Sequence, residues 1–161
     1  MCFHISTNAS TQSRNNNTAN EFVDYYHVSG FDHPKIGLLY NRNIISSYWG
    51  LIPHWVKNQQ QALLIRGKTL NARIETLKSK PSFKKVSFNR GILFVDGFFE
   101  FKHQKNKKIP HYIFNDNPIG IGTILSEWIN PSTGEIISSF SIVTHKASNV
   151  LKRIHNNPKL K

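Results

Sequence analysis

The stretch GILFVDGFFEF, from Gly91 to Phe101, decides the fold class. Two short apolar runs rich in aromatic and branched residues flank Asp96-Gly97, a pair that favours turns, and neither run is long enough to give a helix a buried stripe. Both read as strands. Runs of the same kind recur as YIF from Tyr112 and FSIV from Phe140 on one side, and as LLY from Leu38 and IISSYW from Ile44 on the other, each cut short by Gly, Pro or Asn. Asn130-Pro-Ser-Thr-Gly134 has the composition of a turn between strands. Helical spacing appears in two places. Ser79 to Phe88 has Pro81 suited to a first turn and Phe83 and Val86 three apart, and Ala147 to His155 puts Val150, Leu151 and Ile154 on one face. Ser6 to Asn20, dense in Ser, Thr and Asn, reads as an exposed loop. The predicted class is α+β, mainly β.

The chain has 161 residues, the length of one domain with a real core. Lys plus Arg number 21 against 9 Asp plus Glu, a formal charge of +12, and the isoelectric point is about 10.0. With 39% hydrophobic residues the chain is too apolar for a disordered basic tail. Lys78, Lys80, Lys84, Lys85 and Arg90 surround the first helical segment, and Lys102, Lys105, Lys107 and Lys108 form a second run before Pro110. Any one of these is most simply a solvated side chain, but two clusters on so basic a chain point to a polyanion such as nucleic acid. Tyr48, Trp49 and Trp55 offer flat faces on which unpaired bases can stack, at roughly 1–3 kcal/mol per base, or else they fill the core. The single cysteine, Cys2, excludes an intrachain disulfide framework and a multi-cysteine zinc module and fits a reducing compartment. No run approaches the roughly 18 apolar residues of a membrane helix, and MCFHISTNAS lacks a signal-peptide apolar region. The expected location is the cytoplasm, with no membrane partner, metal or cofactor.

Cys2 directly follows the initiator methionine. Methionine removal before so small a residue leaves a free amine and a thiol on one residue, with ordinary pKa values of about 7.7–8.0 and about 8.5. Such a 1,2-aminothiol can form a Schiff base with an aldehyde and close on it to a five-membered thiazolidine. By position alone, a small hydrophobe near a frayed terminus is the simpler reading.

The order MCFHIS, FDHPKIGLL (Phe31 to Leu39), YWGLIPHW (Tyr48 to Trp55), LNARIET (Leu70 to Thr76), KPSF (Lys80 to Phe83), VDGFFEF (Val95 to Phe101) and SFSIVTHKASNVLKRIH (Ser139 to His155) resembles the SOS response-associated peptidase (SRAP) family, also called abasic-site processing proteins. The resemblance covers nearly the whole chain. It implies an SRAP-type fold, with antiparallel strands in a barrel-like sheet flanked by short helices. It also implies a covalent thiazolidine crosslink to the ring-opened aldehyde of an abasic site in single-stranded DNA, made by a monomer, cytoplasmic in a bacterium and nucleoid-associated when bound to DNA. Carried over to this sequence, Cys2 is the nucleophile, Asn71 positions it, Glu100 shuttles protons and His155 assists Schiff-base chemistry and reversal. Arg73 is similar to the family arginine that holds phosphate, although pairing with Glu75 is a competing use. Thr144 and Asn149 match a stretch near the active site, and Trp49, Trp55, Lys84 and Lys85 are expected to face DNA. The apolar neighbours of Glu100 predict burial and a raised carboxyl pKa suited to proton transfer.

Two departures stand out. Family members usually begin Cys-Gly-Arg, whereas Cys2-Phe3-His4 puts His4 where a DNA-contacting arginine stands. The family also continues past its histidine into further strands, so a chain ending Asn156 to Lys161 reads as a domain cut short at its C-terminus. Two other functions fit the residues. A thiol peptidase or autopeptidase would use Cys2 with a histidine and an orienting Asn, but no oxyanion-hole signature is legible. A non-catalytic module for single-stranded nucleic acid would need only the lysines and tryptophans.

Overall fold

A computed structural model describes residues 2–14, 21–104 and 107–146. The expected helix over Ala147 to His155, with Asn149 and His155, lies outside the described residues, as does Lys105. The elements run β1 (His4–Thr7), α1 (Ala9–Ser13), β2 (Tyr25–Ser29), β3 (Lys35–Tyr40), β4 (Asn43–Trp49), α2 (Gln59–Arg66), β5 (Asn71–Arg73), α3 (Pro81–Lys84), β6 (Arg90–Gln104), β7 (Lys107–Ile129) and β8 (Ile136–Thr144).

Five strands close a ring. β6 pairs with β3, β3 with β4, β4 with β8, β8 with β7, and β7 returns to β6. The fold is mainly β as expected, but the barrel is mixed: β4 and β5 each run parallel to β8. β1 and β2 extend the sheet from the distal half of β6, where His4 faces Phe99 and Ser6 faces Gly97. Ile5, Leu38, Trp49, Leu93, Val95 and Phe140 belong to the main buried cluster. Each apolar run picked out in the sequence lies on a strand, and Asn130 to Gly134 makes the turn between β7 and β8.

The decisive stretch behaves differently from a hairpin. Gly91 to Phe101 is one continuous strand, buried at Gly91, Leu93, Val95 and Gly97 by the alternation of its pleat. Asp96-Gly97 marks a register break within it: Val95 faces Ile119 and Gly97 faces Phe114, so Asn115 to Pro118 bulge out of β7. Glycine is required there because a Cβ at position 97 would lie 2.5 Å from the Tyr112 ring. The Asp96 carboxylate turns toward α1, accepting from the Asn8 amide at 2.8 Å and from the Thr11 hydroxyl.

That contact corrects the loop expected over Ser6 to Asn20 as far as Ser13, residues 15–20 lying outside the described residues. Ser6 and Thr7 close β1, and Asn8 caps α1 by accepting from Thr11 N at 2.7 Å. Gln12 is 0% exposed, donating to Val23 O at 2.6 Å and accepting from Gly37 N at 3.1 Å. Polar residues here are buried through hydrogen bonds, which leaves no apolar periodicity to read. Helix α2, capped by Asn58, was not foreseen either, because Ala62 is its one buried residue. The Ser79 to Phe88 segment forms α3 over a shorter span, with Pro81 in its first turn and Phe83 buried.

Trp49 is also a correction. It is 0% exposed, donates its indole N–H to Leu70 O at 2.9 Å and stacks on Phe140 at 6.2 Å, so it offers no face to a base. Among the described residues, no helix is long and apolar enough to cross a membrane.

Candidate active site

The start of the chain is fixed from three sides. Phe3 accepts from Gly30 N through its carbonyl at 2.8 Å and stacks on Phe31 at 5.3 Å. β1 anchors the following residues between β2 and β6, and β5 brings Asn71 alongside. Asn71 Nδ2 donates to the Cys2 carbonyl at 2.9 Å. Its Oδ1 is shielded from solvent and has no partner among the described residues, an arrangement that commonly marks a missing ligand or water. Asn71 thus touches the residue it was expected to position.

Cys2 is half-buried as a residue, and its thiol is packed against the main cluster. Burial, and next the charge of Glu100, push the thiol up to about 12, while its weak hydrogen bond to the His4 carbonyl at 3.8 Å acts the other way. The thiol is therefore a proton carrier at neutral pH rather than a thiolate. Glu100 comes from β6, half-buried, and its charge acts on both Cys2 and His4. Cys2, His4, Asn71 and Glu100 thus meet at one place although nearly a hundred residues separate the first from the last.

The remaining expected residues are distributed around this centre. Arg73, two residues along β5, is exposed and bonds Glu75 through Nε and Nη2, each at 3.4 Å. The Arg73 hydrogen bond holds the Glu75 carboxyl below its usual range. Thr144 lies opposite Arg73 in the parallel ladder, its hydroxyl shielded and without a partner among the described residues. Lys84 and Lys85 are exposed near the end of α3, and Trp55 is 45% exposed, so these three side chains are open to a polyanion. Lys85 and His54 line a cavity of about 490 Å³. His27, which the sequence reading passed over, stacks directly on His4. Among the described residues no cluster of three or more His, Cys, Asp or Glu could hold a metal ion.

A closed β-barrel that holds the backbone of a cysteine beside the chain start, within reach of a carboxylate's charge, defines the class of protein. The chain belongs to the family described as SOS response associated peptidase (SRAP), whose model matches residues 1–158. It is 31% identical over 150 residues to the abasic site processing protein YoqW of Bacillus subtilis, a match covering 83% of this chain and 65% of YoqW. It is 26% identical over 136 residues to the abasic site processing protein HMCES of Xenopus tropicalis, covering 71% of this chain and 40% of HMCES. The chain thus spans about two thirds or less of these relatives. A solved Bacteroides thetaiotaomicron protein superposes with a TM-score of 0.89 at 31% identity, covering 98% of this chain and 74% of that one. A Bordetella bronchiseptica protein at 19% identity and a TM-score of 0.77, over 98% of this chain and 79% of its own, shares the fold.

Proposed function

We propose that this chain captures abasic sites in single-stranded DNA by forming a thiazolidine through Cys2. The observation that carries the proposal is the Asn71 side chain. Its amide holds the Cys2 carbonyl at 2.9 Å while its shielded Oδ1 lacks a partner among the described residues, which suits it to accept from the Cys2 amine once Met1 is removed.

The chemistry follows from the charges. The Cys2 amine attacks the C1′ aldehyde of the ring-opened deoxyribose, and the carbinolamine loses one water to give an imine. The thiol sulfur then bonds to the imine carbon, and the thiol proton passes to nitrogen. One carbon–nitrogen and one carbon–sulfur bond form, and one water leaves. A thiol pushed up to about 12 favours this order, because it waits protonated while the amine reacts first. Glu100, whose charge reaches the thiol, is the group to move protons between the hydroxyl, the amine and the sulfur. The same high thiol pKa disfavours a peptidase, whose cysteine must attack as a thiolate.

Abasic oligonucleotide incubated with the protein is expected to give an adduct stable on a denaturing gel. Cys2→Ala should abolish it, and Cys2→Ser should lose the stable product because a hydroxyl does not close the same ring. An equal adduct in Cys2→Ala, or Met1 retained on the purified chain by mass spectrometry, would sink the proposal. A binding module without chemistry would instead bind intact and abasic strands alike and leave no covalent product.

A further inference from the structure

His4 and His27 sit on neighbouring strands, with rings stacked at 5.2 Å and only 13° apart in plane. His27 Nε2 lies 3.2 Å from His4 Nδ1. A nitrogen–nitrogen contact of this length needs one proton between the rings, donated by one and accepted by a lone pair of the other. Two fully protonated imidazoles would present N–H groups to each other, so the contact survives the first added proton and is broken by the second. Phe101 meets His4 edge-on at 5.1 Å and Phe99 meets His27 at 5.1 Å, which hem the pair in. Among the described residues no hydrogen bond engages His4 Nε2.

We propose that His27 is a positioning residue for His4, and that the two rings form a single-proton unit whose His4 Nε2–H grips an anionic oxygen, a backbone phosphate beside the captured lesion. The proposal rests on the DNA-capture reading. In the neutral pair there are two arrangements, and only one leaves a proton on His4 Nε2. After one proton is added, a shared proton bridges the rings and both outer nitrogens carry N–H, whichever ring formally holds the charge. A shared proton therefore fixes the tautomer of the His4 ring, with its outer N–H turned away from His27, two residues from Cys2. Burial and then His27 oppose protonation of His4, while Asp32, from the turn after β2, and Glu100, on β6, favour it. A phosphate would tip that balance toward the charged pair.

The test measures binding of undamaged single-stranded DNA by the full chain between pH 8 and 5.5 at fixed ionic strength, together with imidazole proton–nitrogen spectra of the free protein. Wild-type affinity should rise about threefold to tenfold as pH falls to 6, the gain of roughly one phosphate contact. His27→Gln, which cannot titrate, should flatten that profile with its melting temperature unchanged. His4→Arg should bind tightly at every pH. Imidazole spectra should show the two rings sharing their first proton, each shifting with the other. Retention of the wild-type profile by His27→Gln, or two rings that titrate independently in the spectra, overturns the proposal. Absence of any adduct with an abasic strand would instead remove the DNA-capture reading, and the spectra would still decide the pairing.

Discussion

At the scale of single residues, Asn71 links fold to chemistry. Truncating it to alanine removes one hydrogen bond, of about 1 kcal/mol in stability, yet releases the backbone that carries the reacting groups. Asn71→Ala is expected to fold normally and to form the crosslink about 10- to 100-fold more slowly, since small misplacements of reacting atoms carry penalties of that order. A time course on denaturing gels beside a thermal melt separates the two effects. Arg73 poses the opposite situation, a side chain already engaged by Glu75 at 3.4 Å and well exposed. Exposed pairs of this kind contribute little to stability. Glu75→Gln should therefore free the guanidinium and raise affinity for single-stranded DNA by about two- to fivefold in low salt, with the gain fading as salt is added. That Cys2, Asn71 and Glu100 come together was legible because their motifs occur in the family's order. Trp49 was not, because an aromatic beside Gly50 and Pro53 has the same signature in a core as on a platform. His27 was silent for another reason: its meaning comes from the ring across the strand, and sequence distance hides that neighbour.

At the scale of elements, short apolar runs broken by Gly, Pro and Asn were enough to place the strands, since each run lacks the length for an amphipathic helix. Two helices escaped. α1 buries Gln12 through hydrogen bonds, and α2 buries only Ala62 while Leu63 and Leu64 stay 55% and 68% exposed, so neither shows an apolar stripe. The Asp96-Gly97 pair was read as a turn from local chemistry, whereas its neighbours in space make it a register break in β6. Gly97→Ala tests that account. The added methyl must displace the Tyr112 ring, whose hydroxyl shares a 2.7 Å hydrogen bond with Ser6. Overpacking of this kind destabilises by about 1–3 kcal/mol. Urea denaturation should show that loss in Gly97→Ala, and unchanged stability would mean the ring moves aside freely.

For the whole molecule, charge and protonation set the conditions under which it works. The net +12 predicts that affinity for single-stranded DNA falls steeply with salt, and Lys84→Gln or Lys85→Gln should each reduce the slope of log affinity against log salt by about 0.7 where the lysine contacts phosphate. Stability should depend on pH through half-buried histidines. Burial, first among the causes, lowers the pKa of both His4 and His33, the latter hydrogen-bonded to Trp49 O at 2.9 Å. The unfolded chain then binds protons that the folded one refuses, so stability is complete above the unfolded value of about 6.5 and declines as pH falls through it. Melting temperatures from pH 7.5 to 5.5 should decrease accordingly, and a rise would contradict the burial of these rings. The ladder in which His4 faces Phe99 also sets an order of events during synthesis. β1 emerges first but cannot complete its sheet until β6 is made, and at about 5–20 residues per second that interval is roughly 5–20 s. Throughout it the chain start is open to an aminopeptidase, so the removal of Met1 that the proposed capture requires would fall within the ribosome's schedule, before the folding that seals Cys2 in place.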